Sequence, residues 1–122
     1  MSKFVIRSVS SGIKFDLKAA NGQVILTSEV YTTPAACLRG IASIRKNAPI
    51  AGTEDRTAAD FVPAVNPRFE LYRDSAGLFR FRLKAKNGKI IGVSDSYTTR
   101  AGCENGMESV RKNAAKAEIV EE

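Results

Sequence analysis

The sequence predicts an α+β fold, a single domain made of two similar halves that each supply antiparallel strands and one helix. Three observations carry this expectation. The chain has 122 residues, of which 43% are hydrophobic and 26% charged. That is close to one ordinary soluble domain and unlike a disordered, collagenous or disulfide-dense chain. It is also written twice at an offset of about 65 residues, a spacing that marks duplication of one structural unit. Lys18-Ala19-Ala20-Asn21-Gly22 returns as Lys84-Ala85-Lys86-Asn87-Gly88, Tyr31-Thr32-Thr33 as Tyr97-Thr98-Thr99, and Arg45-Lys46-Asn47-Ala48 as Arg111-Lys112-Asn113-Ala114. Phe4 is matched by Phe69, Gly12 by Gly77, Cys37 by Cys103 and Gly40 by Gly106. Finally, apolar residues recur with a period of two in the first part of each copy and at helical spacing in the second. The copies span about residues 1–62 and 67–122, joined by a segment from Pro49 to Pro67 rich in Ala, Asp, Thr and Pro.

The elements follow from local chemistry. Phe69 and Leu71 alternate with Glu70 and Tyr72, and Phe81, Leu83 and Ala85 with Arg82 and Lys84, as in strands with one buried face. Asp74-Ser75-Ala76-Gly77 is a turn between them. Asn21-Gly22 and Asn87-Gly88 are hairpin signals, because a type I′ turn needs positive φ at both central residues. Centring the turns there pairs Ala85 with Ile90 and Leu83 with Gly92, and Ala19 with Val24 and Leu17 with Leu26, so the apolar faces agree. Thr33 and Thr99 are helix N-caps, and Pro34 fits the first helical position because its missing donor costs nothing there. Cys37, Ile41, Ile44 and Ala48, like Cys103, Met107, Val110 and Ala114, form one apolar stripe that must lie on the sheet. Gly40 and Gly106 on that stripe imply a close approach of helix to sheet, since glycine costs about 1 kcal/mol there relative to alanine. Asn47 and Asn113 are expected to end the helices in the left-handed conformation. Phe61-Val62 and Ala117 to Val120 read as short strands.

Composition restricts the chemistry. The absence of histidine removes the commonest general base and metal ligand, and with it every Ser-His-Asp or Cys-His arrangement. Cys37 and Cys103 fall on the apolar stripes outside any Cys-x-x-Cys pair, which makes them buried structural thiols. Glu29 and Asp95 occupy equivalent strand ends without forming an acid/base pair. No phosphate-cradling glycine motif is present. The chain therefore reads as no enzyme and as needing no cofactor or metal. No apolar run approaches the roughly 20 residues of a membrane span, and Met-Ser-Lys-Phe opens like a cytoplasmic chain with reduced thiols.

The balance of 19 Lys and Arg against 13 Asp and Glu, a net charge of +6, favours an anionic partner such as nucleic acid or an acidic protein. Arg45-Lys46 and Arg111-Lys112 look like phosphate clamps, but a position in the last helical turn, where the helix dipole favours cations, accounts for them. More informative is the sheet face opposite the helices. Alternation sends Arg7, Lys14, Lys18, Tyr72, Arg80, Arg82 and Lys84 there, with Val5, Ile25, Ile91 and Val93. Lys18, Arg80, Arg82 and Lys84 are the candidate phosphate contacts and Tyr72 the candidate stacking surface. The competing readings are a protein-contact surface or simply the wet face of an antiparallel sheet.

Phe69 to Asp74, Phe79 to Gly88, Ser94 to Thr98 and the helix from Gly106 to Asn113 together resemble the YegP family, twice over nearly the whole chain. The resemblance implies a β-β-β-α-β repeat, two of which build a single antiparallel sheet with both helices on one face. It also implies that each copy donates its last strand to the other, with Ala58 to Val62 and Ala117 to Val120 as the exchanged strands. Single-copy members are thought to pair, so the two-copy chain is expected to be a monomer with internal pseudo-twofold symmetry. The family is uncharacterised, and no binding or catalytic residue carries over from it.

Overall fold

A computed structural model describes residues 1–122. The first copy supplies β1 (Lys3–Val9), β2 (Gly12–Lys18), β3 (Val24–Thr27), α1 (Pro34–Asn47) and β4 (Gly52–Asp55). The second supplies β5 (Arg68–Arg73), β6 (Phe79–Lys84), β7 (Ile90–Val93), α2 (Arg100–Asn113) and β8 (Glu118–Glu121). All eight strands form one sheet in the order β4-β5-β6-β7-β3-β2-β1-β8. The copies meet at the centre, where β3 and β7 run antiparallel through Thr27 and Val93. No helix is long and apolar enough to cross a membrane.

Both copies give away their last strand. β4 lies beside β5 and β8 beside β1, each in parallel register, so the sheet is mixed and not wholly antiparallel. The first exchanged strand is Gly52–Asp55 and not Ala58 to Val62. The cause is a 3-10 turn at Ala48–Ile50 that delivers the chain to the sheet edge directly after α1, where Arg111 on α2 donates to the Ala51 carbonyl from Nε and Nη2 at 3.2 and 3.1 Å. Arg45 on α1 does the same for the other edge, donating to the Ala117 carbonyl at 2.6 Å. Each guanidinium also lies over a core ring, Arg111 over Phe69 and Arg45 over Phe4. These arginines are therefore strand clamps, a role that neither phosphate binding nor the helix dipole describes.

The helices share one face of the sheet and enclose a core of 21 buried residues. Its two halves match closely. Phe4 meets Phe15 edge-on with centroids 5.7 Å apart, and Phe69 meets Phe81 in the same way at 5.7 Å. Tyr31 and Tyr97 stack on Phe15 and Phe81. Symmetry is broken at the central axis, where a Cβ on Gly92 would lie 2.7 Å from the Leu26 side chain, so one copy's leucine fills the space its counterpart leaves empty.

Thr33 and Thr99 accept from Ala36 and Gly102 N–H at 3.1 and 3.0 Å, and Pro34 opens α1 as expected. Other local details differ. No residue except glycine has positive φ, so Asn21 and Asn87 do not form a type I′ turn. Gly88 donates to the Ala85 carbonyl and Ala85 to the Lys89 carbonyl, which is a three-residue loop with only Gly88 left-handed, and Gly22 repeats it. The longer loop shifts the register between Leu83 and Lys84 and between Leu17 and Lys18. Leu83–Gly92 and Leu17–Leu26 stay paired, whereas Ile90 faces Lys84 and Val24 faces Lys18. This bulge turns Ile25 and Ile91 into the core cluster and off the open face. Asn47 and Asn113 remain right-handed and end the helices by donating from Nδ2 to the carbonyls of Ser43 and Ser109, both at 2.8 Å. Phe61 and Val62 form no strand.

What presses on Gly40 and Gly106 is a tyrosine laid between helix and sheet. A Cβ on Gly40 would sit 2.6 Å from Tyr31 Cζ, and one on Gly106 would sit 2.9 Å from Tyr97 Cζ. Gly40→Ala should therefore destabilise the protein by about 1–3 kcal/mol in urea unfolding, despite alanine's better helix propensity. A gain in stability would show that the ring yields.

Candidate binding face

The open face of the second half is held together by ions. Glu54 on β4 and Glu70 on β5 are register partners, and both are essentially inaccessible to solvent. Burial pushes their pKa values up, and the surrounding donors pull them further down. Glu70 receives Arg82 Nε at 2.6 Å, Arg68 Nη2 at 2.7 Å and Lys84 Nζ at 3.2 Å, with Arg56 Nη2 at 3.4 Å, and its carboxyl is lowered to about 2. Glu54 accepts from Arg56 Nε at 2.6 Å and from the Ala64 N–H at 3.0 Å, and it too lies below the ordinary range. The connector between β4 and β5 covers these groups, with Phe61 against Arg56 and the Ala64 carbonyl and Asn66 side chain accepting from Arg68.

The five candidate residues fall into two places. Tyr72, Arg80, Arg82 and Lys84 are neighbours on β5 and β6, where Tyr72 faces Arg80 in register. Lys18 is on β2, three strands from β6 and about 14 Å away at ordinary strand spacing. Arg82 and Lys84 are bound to Glu70, and the Arg82 guanidinium lies 4.9 Å from the centre of the Tyr72 ring. Arg80 donates from Nη2 to the Ser94 carbonyl at 3.0 Å. In the first half Arg7 Nε meets Asp16 Oδ2 at 2.7 Å, and Asp16 also accepts from Thr27. Lys3, Lys14 and Lys18 make no ion pair.

Sequence reasoning missed Glu54, Glu70, Arg56 and Arg68. Glu70 was within reach, because pairing across the Asp74 to Gly77 turn sets it opposite Arg82. Glu54 was not, since it arrives on a parallel strand from the other copy.

The buried carboxylates are saturated with cations, and no three of His, Cys, Asp and Glu group as a metal site. Cys37 and Cys103 are free, fully buried thiols on the helix side, and burial raises both, Cys103 to about 11.

The same halves are found in known proteins. A domain of unknown function, DUF1508, matches this chain twice, at residues 10–55 and 74–121. The chain belongs to the DUF1508 family. Its relatives carry the family name UPF0339. It is 39% identical over 108 residues to a UPF0339 protein of Stutzerimonas stutzeri from the region 5′ of the ptx operon, covering 88% of this chain and 84% of that one. It is 37% identical over 113 residues to YegP of Escherichia coli K12, covering 93% and 89%. The solution NMR structure of E. coli YegP superposes with a TM-score of 0.80 at 36% identity, over 98% of this chain and 91% of that one. A Shewanella oneidensis UPF0339 structure gives 0.80 at 33%, over 98% and 90%. None of these names states an activity, a ligand or a partner.

Removing the Glu70 charge leaves Arg68, Arg82 and Lys84 without it. Glu70→Gln should cost about 3 kcal/mol at neutral pH. A carboxylate with a lowered folded pKa stabilises above its unfolded value and loses that contribution as pH falls through about 2. In urea unfolding the gap between wild type and variant should thus be constant above about pH 5 and close towards pH 2. A gap independent of pH would assign the loss to packing. Separately, a thiol reagent should leave both cysteines of the native protein unmodified and label both in denaturant.

Proposed function

We propose that this protein is a non-catalytic binding module whose helix-free sheet face takes an anionic macromolecule, nucleic acid first, acting as a monomer in the cytoplasm. The observation that supports the reading is the charge of that face. Strand register brings Lys3, Arg7, Lys14, Lys18, Arg68, Arg80, Arg82 and Lys84 to it, against Asp16, Glu54, Glu70 and Glu118. Internal ion pairs leave a large positive excess, and the pairs to Glu70 hold Arg82 and Lys84 in place instead of leaving them mobile, which lowers the ordering cost of a contact. Lys14 and Lys18 supply unpaired charge on the first half.

A second reading has its own support. The connector already lays polypeptide across the β4–β5 end of this face, with a backbone N–H on Glu54. A partner protein could use the uncovered remainder, where Lys14 and Lys18 make no ion pair.

An amide NMR titration with a mixed-sequence single-stranded oligonucleotide, at about 50 and 200 mM salt, tests the first reading. Shifts are expected at Lys14, Lys18 and Arg80 to Lys84 that weaken steeply at the higher salt. An absence of shifts at the lower salt overturns it. A partner bound with weak salt dependence would favour the second.

A further inference from the structure

A separate cationic surface lies on the helix layer, between α1 and the tip of the β6–β7 hairpin. Two adjoining hollows of about 440 and 860 Å³ share Arg39 and Asn87 as walls. Arg39 and Lys46 project from α1, and Lys86 and Lys89 from the hairpin. None of these four makes an ion pair. The one carboxylate in the lining is Glu29, at the wider end.

The duplication provides an internal control. At the pseudo-symmetric place the second copy of the helix and the first copy of the hairpin carry Asn105, Lys112, Ala20 and Gln23, and α2 adds Glu104 and Glu108 where α1 has Leu38 and Ala42. A hollow there is lined by Gln23, Val24, Asp95, Ser96 and Tyr97, with no cation. The same hairpin and helix thus form without Arg39, Lys86 and Lys89, so folding does not require these charges. Like charges gathered without partners also raise the energy of the free protein.

We infer that this groove is a contact site for the phosphodiester backbone of a nucleic-acid strand. Arg39 and Lys46 are seven residues apart, about 10 Å along the helix axis, and Lys86 and Lys89 come from the hairpin on the other side, so cations line both walls of the groove, as contacts flanking a phosphodiester backbone would. The floor is built of small side chains, Ala42, Ser43 and Ala85, which lets a phosphate approach the Arg39 fork and the lysine ammonium groups. Ile90 is its one large exposed apolar side chain, too little for the apolar anchor of a protein interface. The inference takes its class of partner from the proposed function but places the contact elsewhere.

The test is fluorescence anisotropy of a labelled mixed-sequence single strand at about 50 mM salt, using the full chain. Arg39→Asn, Lys86→Ala and Lys89→Gln together install the counterpart residues, which the fold already accommodates. This triple variant should bind at least about tenfold more weakly and lose about two units of salt slope, as removal of two or three phosphate contacts would. Lys112→Ala should stay within about twofold of wild type, and amides of 39–46 and 86–89 should shift on titration of the wild type. Affinity of the triple variant within twofold of wild type, or unmoved amides there, overturns the inference. If Lys14→Ala with Lys18→Ala is then the variant that weakens binding, the sheet face stands and the groove falls. If the wild type does not bind at this salt, both fall.

Discussion

Each copy hands its last strand to the other, and both ends of the sheet are closed by that exchange. Without β8, β1 would expose its backbone along one side, and without β4 so would β5. Each strand arrives from the other copy, so neither half has a complete sheet on its own. Arg45 and Arg111 secure the arrangement at its two turning points, holding the carbonyls of Ala117 and Ala51 while covering the Phe4 and Phe69 rings. A guanidinium suits this position because its planar fork satisfies a carbonyl while its face packs on an aromatic ring. The outer edges that result are four residues long and carry charged residues, features that discourage further strand pairing.

Once that frame is in place, the two copies diverge where the core does not restrain them. On the open face Glu70 of the second half stands where the first has Val5, and Arg82 where it has Asp16. One half therefore buries two carboxylates among four cations under a connector, and the other buries Val5 and leaves Lys14 and Lys18 without ion pairs. Burial of Glu54 and Glu70 would be very costly if unpaired, and the surrounding arginines and Lys84 make it tolerable. The groove beside α1 shows the same divergence on the helix layer. Duplication gives two copies of every site, and selection of surface residues in one copy leaves the other free to keep the fold.

Much of this was legible locally. The repeat, the Thr caps, Pro34, the apolar stripes and the alternating strands depend on residues within a few positions of one another, and all are found. The turns show where local reading falls short. Asn-Gly supports more than one hairpin loop, and the three-residue form won, with glycine alone left-handed. The resulting bulge moved Ile25 and Ile91 from the open face into the core. The glycines of the helical stripes correctly signalled a close contact, but the Tyr31 and Tyr97 rings that make it come from the segment before each helix. Of the candidate face, the cations were visible from alternation, whereas their neutralisation was not, because Glu54 and the covering connector reach Glu70 and Arg68 only through the parallel edge pairing.

Read along the chain alone, the residues specify a duplicated α+β unit with buried thiols, a helix-covered core and an excess of positive charge. Those properties follow from composition, periodicity and short-range stereochemistry, which act along the chain. Which segment crosses to the other half, which cations keep a free charge and where they gather were settled by contacts across the folded chain. Those outcomes depend on which groups meet across the sheet, and the energy of a charge is set by its neighbours in space.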